Sequence, residues 1–133
     1  MHAPTVKVLT VDDQAVFRDV AREVIDATAG FEHVGEATCG EEALTLADEL
    51  GPALVLVDVC MPGIDGLETA RRLRASHPAS TIVLISTAGI PSLPSGFASC
   101  GAVAFVRKED FGPTALLRLW TEHGAGRSPR DSD

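Results

Sequence analysis

Ionisable or hydroxyl-bearing residues stand where apolar runs stop. Asp12 and Asp13 follow Val6-Lys7-Val8-Leu9-Thr10-Val11, Asp58 follows Ala53-Leu54-Val55-Leu56-Val57, Ser86 closes Thr81-Ile82-Val83-Leu84-Ile85, and Lys108 stands one residue beyond Ala102-Val103-Ala104-Phe105-Val106, after Arg107. In an open α/β sheet, functional groups collect at the carboxyl ends of the strands, near the point where strand order reverses. If the first and third strands are neighbours there, Asp12, Asp13 and Asp58 share one pocket. Three carboxylates so close repel unless a cation joins them, which implies a hard divalent ion. Mg²⁺ fits best, since it takes oxygen ligands and is held by one or two carboxylates together with phosphate oxygens. Three carboxylates, one Mg²⁺ and the Lys108 ammonium sum to zero charge, so the pocket can hold a phosphorylated aspartate. Asp58, with a strand behind it and the turn Cys60-Met61-Pro62-Gly63 ahead, is the candidate nucleophile. The Ser86 hydroxyl can donate a hydrogen bond to the new phosphoryl group.

Elements that alternate along the chain must position these groups. After the first strand, Val16, Phe17, Val20, Val24 and Ile25 recur at helical spacing and mark an apolar face up to Gly30. A weaker strand from about His33 to Ala37 precedes a helix from about Glu41 to Leu50, stopped by Gly51-Pro52. Beyond the Asp58 turn, Leu67, Ala70 and Leu73 form a stripe against Glu68, Arg71, Arg72 and Arg74. A closing helix carries Leu116, Leu117, Leu119 and Trp120, with Pro113 near its first turn. Continuous apolar strands joined by amphipathic helices imply a doubly wound α/β domain with a five-stranded parallel sheet covered on both faces. Between the fourth and fifth strands, Pro94 and Gly96 make Ile90 to Phe97 a poor helix, so a short or irregular fourth helix is expected.

At 133 residues the chain suits one packed core, expected over 1–123, with 124–133 as a disordered tail or a truncated linker. The net charge of -8 argues against a surface built for nucleic acid or anionic lipid. Without a membrane-length apolar run or a signal-peptide start, a soluble cytoplasmic protein is expected. Cys39, Cys60 and Cys100 are odd in number and far apart, the pattern of reduced, partly buried thiols rather than of disulfides or structural zinc. The four histidines show no metal-ligand spacing, and His77 is expected at a helix end, where partial positive charge suits the dipole.

Taken together, the acidic pair Asp12-Asp13, the stretch Asp58-Val59-Cys60-Met61-Pro62-Gly63-Ile64-Asp65-Gly66, Ser86 with its small neighbours, and Lys108 resemble the response-regulator receiver domain of two-component signalling, over about Val6 to Trp120. The resemblance implies the flavodoxin-like sheet order 2-1-3-4-5 with about five helices. It further implies phosphorylation of Asp58 by a histidine kinase or phosphotransfer protein. Mg²⁺ would be bound by Asp13, Asp58 and the backbone carbonyl of Cys60, with Asp12 assisting through water, and Lys108 would contact the phosphoryl group. Phe105 falls at the family's switch aromatic and, being Phe, offers no phenolic hydrogen bond. Ser86 is preferred over Thr87 as the switch hydroxyl because it ends the apolar strand and lies 22 positions before Lys108 (108 - 86). Output is expected through protein contacts on the face of strand four, strand five and the last helix, including a phosphorylation-dependent homodimer, with no direct nucleic acid or membrane contact and no enzymatic turnover beyond slow self-dephosphorylation.

Two departures stand out. Glu109 follows Lys108 where the family often has proline, so no cis-proline bend aims the lysine, and the Pro-rich segment from Ile90 lies in the region used for output. Three other readings compete with the receiver. A Mg²⁺-dependent aspartyl-phosphate phosphatase needs an acid two residues after its nucleophile, where this chain has Cys60. A flavodoxin-like carrier would need a phosphate cradle where Asp12-Asp13-Gln14-Ala15 stands. A pseudo-receiver that binds partners without phosphorylation would not need the intact acidic residues, Ser86 and Lys108.

Overall fold

A computed structural model describes residues 4–87 and 96–124. Five parallel strands, β1 (Val6–Val11), β2 (Phe31–Ala37), β3 (Leu54–Asp58), β4 (Thr81–Ser86) and β5 (Ala104–Arg107), form one sheet in the order β2-β1-β3-β4-β5. The helices α1 (Ala15–Ala27), α2 (Gly40–Leu50), α3 (Gly66–Ser76) and α4 (Pro113–His123) cross over between strands or close the chain, and Phe97–Ser99 and Lys108–Asp110 are single 3₁₀ turns. Where the sequence predicts a short or irregular fourth helix, the described part is the Phe97–Ser99 turn; Ile90 to Ser95 and the tail beyond Gly124 lie outside the described residues. The fifth strand starts two residues later than its apolar run, because Gly101, at φ +93°, turns the chain and leaves Val103 41% exposed.

Side chains alternate between the two faces of a strand, and the core divides accordingly. Leu9, Val11, Val55, Val57, Ile82 and Leu84 pack against Ala43 and Ala47 of α2 and Ala70 and Leu73 of α3. Val8, Leu54, Leu56, Val83 and Ile85 pack against Phe17, Ala21 and Ile25 of α1 and Leu116 and Leu119 of α4. The same alternation sorts the strand ends. Asp12 and Asp58 continue the α1/α4 side, whereas Ser86 continues the α2/α3 side, where Phe105 also packs.

Helix α1 departs from the expected apolar face. Phe17, Ala21 and Ile25, spaced four apart, are the residues it buries, while Val16 is 78% and Val20 44% exposed. One narrow stripe suffices because small Ala21 allows the helix to approach the sheet closely, and Val16 and Val20 lie about 100° around the axis from Phe17 and Ala21. His77 caps the C-terminal end of α3 as expected, and its Nε2 lies 2.7 Å from Asp48 Oδ1. Pro113 opens α4 at its first turn. All three cysteines are free, but Cys60 is exposed rather than partly buried. No described helix is long and apolar enough to cross a membrane.

Candidate functional site

The ends of β1 and β3 are adjacent, since Val11 pairs with Val57 in the sheet register. The residues just beyond therefore converge. Asp12 is fully buried, Asp58 is 4% exposed and Asp13 faces solvent. One carboxylate oxygen from each of Asp12, Asp13 and Asp58 lies within 4.8 Å of the others, the spacing at which oxygen ligands can share one hard cation.

Crowding of carboxylates opposes ionisation, and Asp58 registers it. Burial first, then the neighbouring Asp12 and the weaker push of Asp13, raise its carboxyl from 3.8 to about 6, against the opposing pull of Lys108 and of the Cys60 N–H that donates to it. Asp12 is anchored on both sides of its strand end. Its Oδ1 accepts the Gln14 N–H at 2.9 Å, and its carbonyl accepts from Arg18, whose Nε also pairs with Glu36 at 2.9 Å. Asp13 does not cap α1: the N-cap is Gln14, with no side-chain cap bond.

Lys108 starts the turn after β5 and reaches back across the sheet edge. Its Nζ lies 2.7 Å from Asp12 Oδ2 and 3.8 Å from Asp58 Oδ1. The shorter contact is a charge pair and not an aligned hydrogen bond, since Asp12 Oδ2 has no hydrogen-bond partner of good geometry. The ammonium also donates to Gln14 Oε1 at 3.1 Å and sits 5.0 Å from the centroid of the Phe17 ring. No cis peptide occurs among the described residues; this cradle and the 3₁₀ turn aim the lysine.

Ser86 ends β4, 1% exposed, and its hydroxyl has no hydrogen-bond partner among the described residues. An unpaired buried hydroxyl costs free energy, which a ligand supplying an acceptor would recover. Thr87 is exposed and on the next position, which in an extended chain points to the opposite face. Phe105 pairs in register with Leu84, is half-buried, and meets Phe97 edge-on at 6.4 Å.

The turn after Asp58 is held by two glycines. Gly63 has φ +79°, a left-handed conformation that glycine adopts without strain. Gly66, the first residue of α3, admits no side chain at all: a Cβ there would collide with the Asp58 carbonyl oxygen and lie 2.7 Å from Val59 Cα. The Gly66 N–H donates to the Val59 carbonyl at 2.9 Å, and Asp65 caps the helix by accepting from the Glu68 N–H at 2.9 Å. Cys60 is exposed in this turn, two residues beyond Asp58.

Asp12, Asp13, Asp58, Ser86 and Lys108 thus stand at or just beyond the carboxyl ends of their strands, whereas Phe105 is the second residue of β5. Asp12, Asp13, Asp58 and Lys108 form one contacting cluster, while Ser86 and Phe105 occupy the neighbouring strands on the other face. Sequence alone does not point to Gln14, Phe17 or Arg18 as parts of the site. Phe17 reads as core, which it also serves, and only a basic residue at the far strand end could have suggested its second contact.

Comparison with known proteins gives a consistent result. The family model for the response regulator receiver domain matches residues 8–119. The response regulator GacA of Pseudomonas aeruginosa is 39% identical over 103 residues, which are 77% of this chain and 48% of GacA. Protein-glutamate methylesterase/protein-glutamine glutaminase 5 of Myxococcus xanthus is 42% identical over 112 residues, 84% of this chain and 31% of that protein. The chain therefore spans about half, or less, of the length of these curated relatives. Among solved structures, the REC domain of AraT, a response regulator from Geobacillus stearothermophilus, has a TM-score of 0.80 at 27% identity, covering 97% of this chain and 99% of that one. The chemotaxis protein CheY4 of Vibrio cholerae has a TM-score of 0.76 at 27% identity, covering 89% and 98% respectively.

Proposed function

The chain belongs to the response-regulator receiver family, and on that premise we propose that Asp58 accepts a phosphoryl group from a phosphohistidine of a histidine kinase or phosphotransfer protein. The observation that carries this is the buried Asp58 carboxylate, set among Asp12 and Asp13 with the Lys108 ammonium 3.8 Å away. An ionised Asp58 oxygen attacks phosphorus; the new O–P bond forms as the P–N bond breaks, and the imidazole keeps the electron pair and takes up a proton. Asp58 titrates near 6, so at neutral pH it is mostly ionised and able to attack.

Mg²⁺, held by Asp13, Asp58 and the Cys60 carbonyl with Asp12 assisting through water, would supply positive charge next to the transferring oxygens. The three converging carboxylates suit such an ion. Lys108 contacts a phosphoryl oxygen, and the Ser86 hydroxyl gains the acceptor it lacks. As Ser86 moves toward the phosphoryl group, Phe105 on the same face turns inward, and the surface of β4, β5 and α4 changes for a downstream protein or for a second phosphorylated copy. On this reading the chain works in the cytoplasm alongside its kinase.

Incubation with Mg²⁺ and a small acyl phosphate, followed by intact mass, tests the proposal. One added phosphoryl group is expected on the unaltered chain and none on Asp58→Asn. Absence of any added mass under conditions that label another receiver sinks it in favour of a phosphorylation-independent binding module.

A further inference from the structure

Lys108 is held by partners of two kinds. Asp12 Oδ2 at 2.7 Å is a carboxylate that also belongs to the acidic cluster. Gln14 Oε1 at 3.1 Å and the Phe17 ring face at 5.0 Å are uncharged. Charge-paired with Asp12, hydrogen-bonded to Gln14 and set over the Phe17 ring, the ammonium lies 3.8 Å from Asp58. The carboxylate is contested, because any cation taken up by the cluster competes with Lys108 for Asp12. The amide oxygen and the aromatic face stand outside the cluster and keep their attraction for the lysine.

Gln14 has other marks of this duty. It occupies the N-cap of α1, where Ser, Thr, Asp or Asn would normally accept a helix N–H, and its side chain makes no cap bond. Its side chain bonds instead to a residue 94 positions away. Its own backbone N–H is fixed by Asp12 Oδ1 at 2.9 Å, so the acceptor is registered against the acidic pair.

We propose that Gln14 is a positioning residue for Lys108: with the Phe17 ring it forms a neutral seat that keeps the ammonium beside Asp58 when a cation occupies the carboxylates. A neutral seat holds the lysine without trapping it. A carboxylate at position 14 would bind it more tightly and oppose its transfer to a phosphoryl oxygen. This rests on the phosphoacceptor reading of Asp58, and its test separates the two.

The test compares Gln14→Leu, which keeps the bulk and loses the acceptor, with Gln14→Glu, which restores an acceptor. In metal-free protein, the side-chain ammonium resonance of Lys108 should be ordered in the unaltered chain, broadened by exchange in Gln14→Leu, and ordered again in Gln14→Glu. With saturating Mg²⁺ and an acyl phosphate, Gln14→Leu should label about three- to fivefold more slowly, the size expected for one partly exposed charged hydrogen bond. Its thermal midpoint should fall by no more than a few degrees, since the Gln14 side chain caps nothing and makes one partly exposed hydrogen bond. Equal ammonium signals, or equal labelling rates, in the unaltered chain and Gln14→Leu overturn the seat. If the unaltered chain takes no phosphoryl group at all, the phosphoacceptor reading fails, while the metal-free resonances still decide for or against the seat.

Discussion

Every residue of β3 and β4 is buried, whereas every residue of β5 is half-buried. On the proposed function both regions serve the same site. The central strands end in Asp58 and Ser86, and the edge strand carries Phe105 and leads into Lys108. The difference teaches a division of labour. A group that must act as nucleophile gains from a backbone over-determined by packing on both faces. Groups that must shift after the charge changes gain from a strand with one free edge and fewer neighbours to repack.

Leu84 and Phe105, register partners on adjacent strands, are the sharpest way to break this comparison. Leu84 is fully buried, so Leu84→Ala should cost about 3–4 kcal/mol through lost burial and the cavity left behind. Urea unfolding measures it, and a cost equal to that of the edge variant below would remove the contrast between centre and edge.

A smaller effect of opposite sign is expected at Asp58. Its folded-state value near 6 lies above the 3.8 of the unfolded chain, so folding favours the protonated form. The penalty is absent below about pH 4, grows as pH rises and is complete above about pH 6. In chelator-treated protein, stability should therefore fall across that window. Asp58→Asn should abolish the fall and stabilise the chain at neutral pH by up to about 3 kcal/mol, since each tenfold change in proton affinity is worth about 1.4 kcal/mol. A variant less stable than the parent at neutral pH would show that the carboxylate cluster is not under strain.

The smallest change is expected at the edge. Phe105→Ala should cost about 1–2 kcal/mol, because a half-buried ring leaves a dent that water fills in place of a closed cavity. Its larger consequence should be loss of the phosphorylation-dependent change in the β4, β5 and α4 surface, followed by the amide spectrum with and without phosphoryl donor. A spectrum that changes as fully as in the parent would mean the edge aromatic does not report the centre.

Much of the fold was legible because the physics is local. Apolar runs of β-branched residues read as buried parallel strands, and Gly51 and Pro113 mark helix ends by chemistry that needs no tertiary partner. The site was legible for a related reason: strand ends can be read from the same runs, and Asp12, Asp13, Asp58, Ser86 and Lys108 all stand there. What escaped depends on contacts across the chain. Val16 and Val20 look like core because periodicity alone cannot tell a wide apolar face from a narrow one with spare valines beside it. Gln14 looks like loop because its partner lies 94 residues on. Gly66 reads as turn chemistry, yet what demands it is the Asp58 carbonyl lying against its Cα.

That close approach has a mechanical corollary. Where α3 begins, its backbone and that of the chain leaving β3 approach without any intervening side chain. A side chain at position 66 would push the start of α3 away from the Asp58–Val59 peptide, so the seating of this helix beside the acidic pocket is set by one missing methyl group.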